Sequence, residues 1–335
     1  MIFTGGTISM AADPETGVLR PLNFESVQKI LPEFSQMGIS IAALPLLPLV
    51  DSSDVSPKLW KRIALTIEHN YELYDGFVVL HGTDTMSYTA SALSFMLTEL
   101  RKPVIFTGSQ TPMGMPRTNA RENIITAVEI AATKKNNQPV VPEVCIFFEN
   151  KLFRANRTTK QNSEHFSAFK SFNYPALAET GIHIKFSHSY IHVPPTDSKF
   201  HVYTKVNPNI SILKIFPGIT KETVSGILNN PKLKAVILET FGAGNAPSGV
   251  WLYKLLKKAN DKGVIIVNKS QCSIGKVEMG LYETSLNLLN AGVISGYDCT
   301  VEALVAKLMH LLGKYSEVNK VKELMNKNLC GEMTV

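Results

Sequence analysis

F-V-V-L-H-G-T-D-T-M-S-Y-T-A-S-A-L-S-F-M, residues 77–96, passes from a short apolar run through a small polar loop into an apolar-periodic segment. Four apolar residues in succession fit a strand buried on both faces, the kind that fills parallel sheets covered by helices. The same unit recurs outward from this point. P-V-I-F-T-G-S at 103–109 leads through a loop into R-E-N-I-I-T-A-V-E-I-A-A. Ser56 followed by Pro57 marks a helix start for K-L-W-K-R-I-A-L-T-I-E. Strand–helix alternation predicts an α/β fold with a mainly parallel sheet covered on both faces. The rhythm breaks at 187–209, a proline-bearing stretch without helical periodicity, and resumes in I-S-I-L-K-I-F-P-G, K-A-V-I-L-E-T and G-V-I-I-V-N-K. The predicted organisation is a larger amino-terminal domain with a mostly parallel sheet over 1–187, a linker over 188–209 and a smaller carboxy-terminal α/β domain over 210–335.

With 44% hydrophobic and 19% charged residues among 335, the chain can bury full-sized cores and does not read as disordered. The net charge of +6 is spread along the sequence. Its densest basic stretch, K-L-L-K-K-A-N-D-K-G at 254–263, alternates with apolar positions as a solvated helix face does, so no nucleic-acid partner is expected. Cys145, Cys272, Cys299 and Cys330 form no C-x-x-C pair, which argues against a disulfide framework or a structural zinc site and fits a reducing, cytoplasmic compartment. The longest apolar run, residues 39–50, is too short and too rich in proline to cross a bilayer, so no membrane partner is expected either. No basic-then-apolar leader is visible, and the missing lead-in to the first strand predicts that native residues precede Met1.

Open α/β sheets bind ligands beyond the carboxyl ends of their strands. Three such ends carry polar loops here: T-G-G-T-I at 4–8, D-S-S-D at 51–54 and H-G-T-D-T-M at 81–86. Gly5 and Gly6 let the backbone turn sharply or approach a ligand, leaving the Thr7 hydroxyl just beyond the turn. Asp84, beside Gly82 and Thr83, is a carboxylate that is costly to bury unpaired. Read alone, the first loop is also a β-turn with an incidental threonine, and the third an Asx cap on the next helix. E-N-K-L-F-R-A-N-R-T-T-K, residues 149–160, reads as hairpin-like and ends in Lys160. Most lysines are solvated, but near Thr83 and Asp84 this ammonium would hold a hydroxyl and relay a proton. Other sites are rejected. His188 and His192 lie in a proline-rich, non-helical segment, no H-E-x-x-H or G-x-S-x-G occurs, and T-G-G-T lacks the lysine of a phosphate loop.

T-G-G-T-I, D-S-S-D, H-G-T-D-T-M-x-Y-T-A-S-A-L-S-F-M, T-G-S-Q-x-P, N-R-T-T-K and G-A-G-N-A-P, in this order, resemble the type I (cytosolic) bacterial L-asparaginases of the asparaginase/glutaminase family. The resemblance covers essentially the whole chain. It implies an L-asparagine amidohydrolase in which Thr7 is the nucleophile and Thr83, Asp84 and Lys160 form a second catalytic set. Asp51, Ser52 and Ser53, with Gly82, Thr83 and Asp84, would bind the substrate, L-asparagine with L-glutamine as a second candidate. No metal or organic cofactor is implied. Asn245, in G-A-G-N-A-P, would reach the substrate of a neighbouring subunit in a homodimer or homotetramer. Two positions depart from the family pattern. Val18 stands where many members carry a tyrosine, and Glu239 where some carry an arginine of an effector pocket. Other readings are a tRNA-dependent amidotransferase subunit, which Thr7 lying so near the start disfavours, and a non-catalytic amino-acid sensor, which would not need the nucleophile.

Overall fold

The computed structural model describes residues 1–12, 19–21, 34, 37–113, 115–195, 197–280 and 283–335. Val18 therefore lies outside the described residues. The chain divides into two compact units, Met1–Thr204 and Lys205–Val335.

The first unit is built on an eight-stranded sheet: β1 (Ile2–Phe3), β2 (Leu44–Pro45), β3 (Phe77–Leu80), β4 (Val104–Thr107), β5 (Val144–Phe148), β6 (Lys151–Arg154), β7 (Ala178–Thr180) and β8 (Ile184–Phe186). Their spatial order is 2-1-3-4-5-6-7-8. The first five pair in parallel, and β6, β7 and β8 each add on antiparallel. An order of 2-1-3-4-5 reverses direction between β1 and β3, and such a switch point opens a crevice at the strands' carboxyl ends. Helices α1 (Pro57–Asn70), α2 (Met86–Met96) and α3 (Ala120–Ala132) connect the parallel strands.

Alternate residues of the strands serve opposite faces. Phe3, Val78, Leu80, Ile105, Cys145 and Phe147 form one buried cluster with Ile124, Ala127 and Ala131 of α3. Helix α1 starts where Ser56 and Pro57 predict, with proline in its first turn. Helix α2 is buried almost all round and made largely of serine, threonine and alanine. Small side chains allow close approach, and the hydroxyls find partners inside: Trp60 Nε1 donates to Thr89 Oγ1 at 3.2 Å and Ser94 Oγ to Ala90 O at 3.0 Å. The apolar-periodic run Y-T-A-S-A-L-S-F-M-L-T-E-L, residues 88–100, predicts a helix running past Met96 to Leu100. The structure stops it at Met96, because Leu97–Thr98 pairs as a strand with His201–Val202 and Glu99 takes a left-handed backbone, φ +55°. That pairing also joins part of the 188–209 stretch to the first unit.

The loops after β1 and β3 touch through glycine. Gly6 has φ +75°, and a Cβ there would lie 2.4 Å from the Cα of Gly82. A Cβ on Gly82 would in turn lie 2.6 Å from that of Ser52, in the loop after β2. Three strand ends thus meet with no room between them for further side chains.

The second unit is a parallel sheet of β9 (Ile210–Lys214), β10 (Ala235–Thr240), β11 (Ile265–Ser270) and β12 (Ile294–Ser295), with α4 (Lys221–Leu228), α5 (Val250–Asp261), α6 (Glu283–Asn290), α7 (Val301–Lys314) and α8 (Val318–Met325). Leu213, Val236, Leu238 and Ile266 pack with Val224, Leu252, Leu256 and Leu288. Lys307 and Glu332, both fully buried, pair at 2.7 Å and fasten the carboxy-terminal segment to α7.

The glycine contact gives a testable expectation. Gly6→Ala combines left-handed strain, of about 1–3 kcal/mol, with an overlap against backbone that has no rotamer to escape into. Gly38→Ala, at φ +64° with nothing within 4 Å, meets the strain alone. Denaturant unfolding should show a clearly larger loss for Gly6→Ala, and equal losses would contradict the contact.

Candidate active site

Lys160 reaches the crevice along a path of buried turns. Strand β6 folds back on β5, and Ala155–Arg157 then forms a buried 3-10 turn that Ser91 Oγ of α2 reaches at Ala155 O, 3.5 Å. Thr158 Oγ1 donates to Arg154 O at 2.7 Å, and Thr158–Lys160 continues as a strand paired with Phe169–Ser171. Arg154 is itself fixed by the buried Glu143 carboxylate, at 2.6 Å.

At the end of this path Lys160 Nζ donates to Thr83 Oγ1 at 2.8 Å and to Asp84 Oδ1 at 2.7 Å. The lysine side chain is largely enclosed, 17% exposed, while Asp84 is 65% exposed at the mouth. Ser52 Oγ donates to the other carboxylate oxygen of Asp84 at 3.2 Å, and Thr85 Oγ1 donates to Ser52 O at 2.6 Å. The hydrogen bond from Lys160 holds the Asp84 carboxyl below its ordinary value of 3.8, against a smaller opposing effect of burial. Asp51, in the same loop as Ser52, is also lowered, because Ser53 Oγ and Ser53 N both donate to its Oδ1, at 2.6 and 2.9 Å. Thr7 stands in the turn after β1, half-buried, one residue beyond the Gly6–Gly82 contact.

The structure therefore joins Ser52, Thr83, Asp84 and Lys160 in one hydrogen-bonded set, with Asp51 and Ser53 on the loop of Ser52 and Thr7 on the adjoining turn. The charged pair addresses Thr83. Asn245 belongs to the second unit. There it sits in a tight loop with Gly242 at φ +49° and Gly244 at φ +112°, and exchanges backbone hydrogen bonds with Phe241. Asn268 steadies that loop by donating to Gly244 O at 3.1 Å.

One contributor escaped the sequence reading. Gln110, just past β4, accepts from Thr83 Oγ1 at 3.3 Å and donates to His165 O at 3.2 Å, at the tip of the hairpin that carries Lys160. T-G-S-Q-x-P gave the signal: the strand-end rule applied to β1, β2 and β3 applies equally to β4.

A family model for the asparaginase amino-terminal domain matches residues 1–192, and one for the glutaminase/asparaginase carboxy-terminal domain matches 209–325. The chain belongs to the asparaginase family. L-asparaginase 1 of Escherichia coli K12 is 42% identical over 99% of this chain and 96% of its own length. The crystal structure of L-asparaginase I from Vibrio cholerae superposes with a TM-score of 0.89 at 43% identity, covering 100% of this chain and 99% of that one. A glutamyl-tRNA(Gln) amidotransferase component of Pyrococcus abyssi is 33% identical over 100% of this chain and 76% of its own length. The match to asparaginases of the first type agrees with the motifs read from the sequence.

Glu239 is not a bare anion. It lies in register between Lys214 and Lys269 on the flanking strands, 3.8 Å from Lys214 Nζ. Among the described residues no helix is long and apolar enough to cross a membrane.

The Lys160–Asp84 contact predicts a titration. A carboxyl with a lowered pKa contributes stability above its ordinary value and loses it as pH falls through the lowered one. Asp84 is too exposed for that contribution to be large. Its own titration is the better readout: in Lys160→Met the Asp84 carboxyl, followed by carbon NMR, should move up toward 3.8. An unmoved titration would contradict the pairing.

Proposed function

We propose that this protein hydrolyses L-asparagine to aspartate and ammonia through an acyl-enzyme on Thr7. The observation that carries the reading is the Lys160–Thr83–Asp84 set, held at the switch-point crevice beside the Thr7 turn. Thr7 Oγ attacks the side-chain amide carbon and gives up its proton, the C–N bond breaks, and that proton goes to the departing NH2 nitrogen, which leaves as ammonia. Backbone N–H groups at Thr7 and Thr83 face the developing oxyanion, where such donors act most strongly. The ammonium of Lys160 keeps Thr83 Oγ1 as an acceptor, so Thr83 orients the water that opens the ester, and Lys160 with Asp84 moves its proton. Asp51, Ser52, Ser53 and Asp84 offer the acceptors and donors that an amino-acid zwitterion needs. The names of the relatives and the family match support hydrolysis of asparagine.

A cytoplasmic setting fits the four free cysteines. The amidotransferase relative supports a second reading, release of ammonia for another enzyme. Steady ammonia release from free asparagine, without tRNA, favours the hydrolase; release only in the presence of tRNA contradicts it. Matched assays with asparagine and glutamine set the preference, since one methylene is worth only ~1–3 kcal/mol in a pocket.

Thr83→Val and Lys160→Met should each lower kcat by at least ~10²-fold. The double variant should lose much less than the product, as groups acting together do. Strictly multiplicative losses would separate the two.

Asn245 of the partner subunit completes the site in a two-fold dimer, an arrangement that builds both sites at once. Mixing Asn245→Ala chains with Thr7→Ala chains should restore activity, because one site of each crossed dimer keeps both residues. Mixed dimers as inactive as either parent would contradict it.

A further inference from the structure

His81, the residue directly after β3, is fully enclosed, 1% exposed, with its ring beside Phe106. Its Nδ1 lies 2.7 Å from the carbonyl oxygen of the next residue, Gly82. A carbonyl only accepts, so Nδ1 carries the proton. Burial lowers the pKa of His81 from 6.5 to about 4, so the ring is neutral near pH 7 and its Nε2 is bare. That Nε2 has no hydrogen-bond partner among the described residues. An apolar side chain would fill the place without leaving a buried acceptor unsatisfied, so packing does not account for an imidazole here. The bond to Gly82 does.

Gly82 O and Thr83 N–H belong to one peptide group and point opposite ways across it. No described residue accepts from Thr83 N–H, so it is open to water or a ligand. We infer that His81 is a positioning residue, whose Nδ1–H holds the Gly82 carbonyl away from the crevice and so aims the Thr83 N–H at the developing oxyanion. The inference rests on the hydrolase reading above and adds a residue to it.

Two effects follow from the one bond. It fixes the plane of a peptide that begins at glycine, where no side chain limits rotation: Gly82 has no room for a Cβ against Ser52. A flipped peptide would present a carbonyl oxygen to the oxyanion instead of a donor. The bond also polarises the peptide, because a donor on the carbonyl strengthens the N–H at the other end.

His81→Leu removes the donor, and His81→Asn keeps one, since the Asn Nδ2–H is attached at the same branch as the imidazole Nδ1–H. With asparagine, His81→Leu should lower kcat ~10–100-fold with little change in KM, somewhat less than deleting an oxyanion donor outright. His81→Asn should stay within several-fold of the unaltered protein. A folded His81→Leu that keeps its kcat, or a His81→Asn that falls as far, would overturn the proposal. A merely structural role would not separate kcat from KM or be rescued by asparagine at position 81. Nitrogen NMR of the unaltered protein, labelled at histidine, covers the case in which His81→Leu does not fold. The expected tautomer is Nδ1–H with a bare Nε2, the minor form of a free neutral histidine; protonated Nε2 at neutral pH overturns the proposal. The tautomer is read without substrate, so it still decides the peptide lock if the protein releases no ammonia from asparagine and the hydrolase reading falls.

Discussion

Everything at the crevice depends on two glycines that share a space with no room for side chains. Gly6 and Gly82 come close enough that a Cβ on Gly6 would overlap the backbone of Gly82. They sit on the loops after β1 and β3, the neighbours between which the parallel sheet changes direction. Sheet topology opens a crevice there. The glycine contact brings the turn that carries Thr7 against the loop that carries Thr83. Ser52, packed against Gly82, brings the third strand end to the same place.

Charge enters from the other side. Lys160 arrives on a strand that the sheet does not include, guided by the turn at Ala155–Arg157 lying on the small-residue surface of α2. Its ammonium is largely enclosed, and Thr83 and Asp84 between them give it partners. Gln110 and His81 act on the same threonine from two further directions, one at the hydroxyl and one through the peptide. Thr83 is thereby held at both its side chain and its backbone, as a group must be if it is to meet a transition state without reorganising.

Much of this was legible in the sequence. The apolar run 77–80 and the loop after it define the β3–α2 unit, and Ser56–Pro57 marks the start of α1, because both signals are local. The three antiparallel strands β6, β7 and β8 were not legible as a continuation of the sheet, since their pairing is set by tertiary neighbours and not by periodicity. The end of α2 was missed for the same reason: Leu97 and Thr98 are apolar-periodic enough for helix, but a distant strand claims them. At the site, the loops and Lys160 announced themselves through glycine, carboxylate and motif. Gln110 was within reach of the strand-end rule. His81 was not, because a histidine's value there lies in which nitrogen faces which carbonyl, and that is a property of the folded backbone. The negative charge of Glu239 is plain in the sequence, but its two flanking lysines come from strand register alone.

In the proposed hydrolysis Thr7 carries the acyl group, while Thr83, with Lys160, serves the water that removes it. Mass spectrometry of Thr83→Val protein, quenched during turnover of asparagine and digested, tests this division most directly. Slowed deacylation should leave an aspartyl adduct on the peptide bearing Thr7. An adduct found in the unaltered protein on the peptide bearing Thr83 would contradict the account, and would make the threonine beside Lys160 the nucleophile instead.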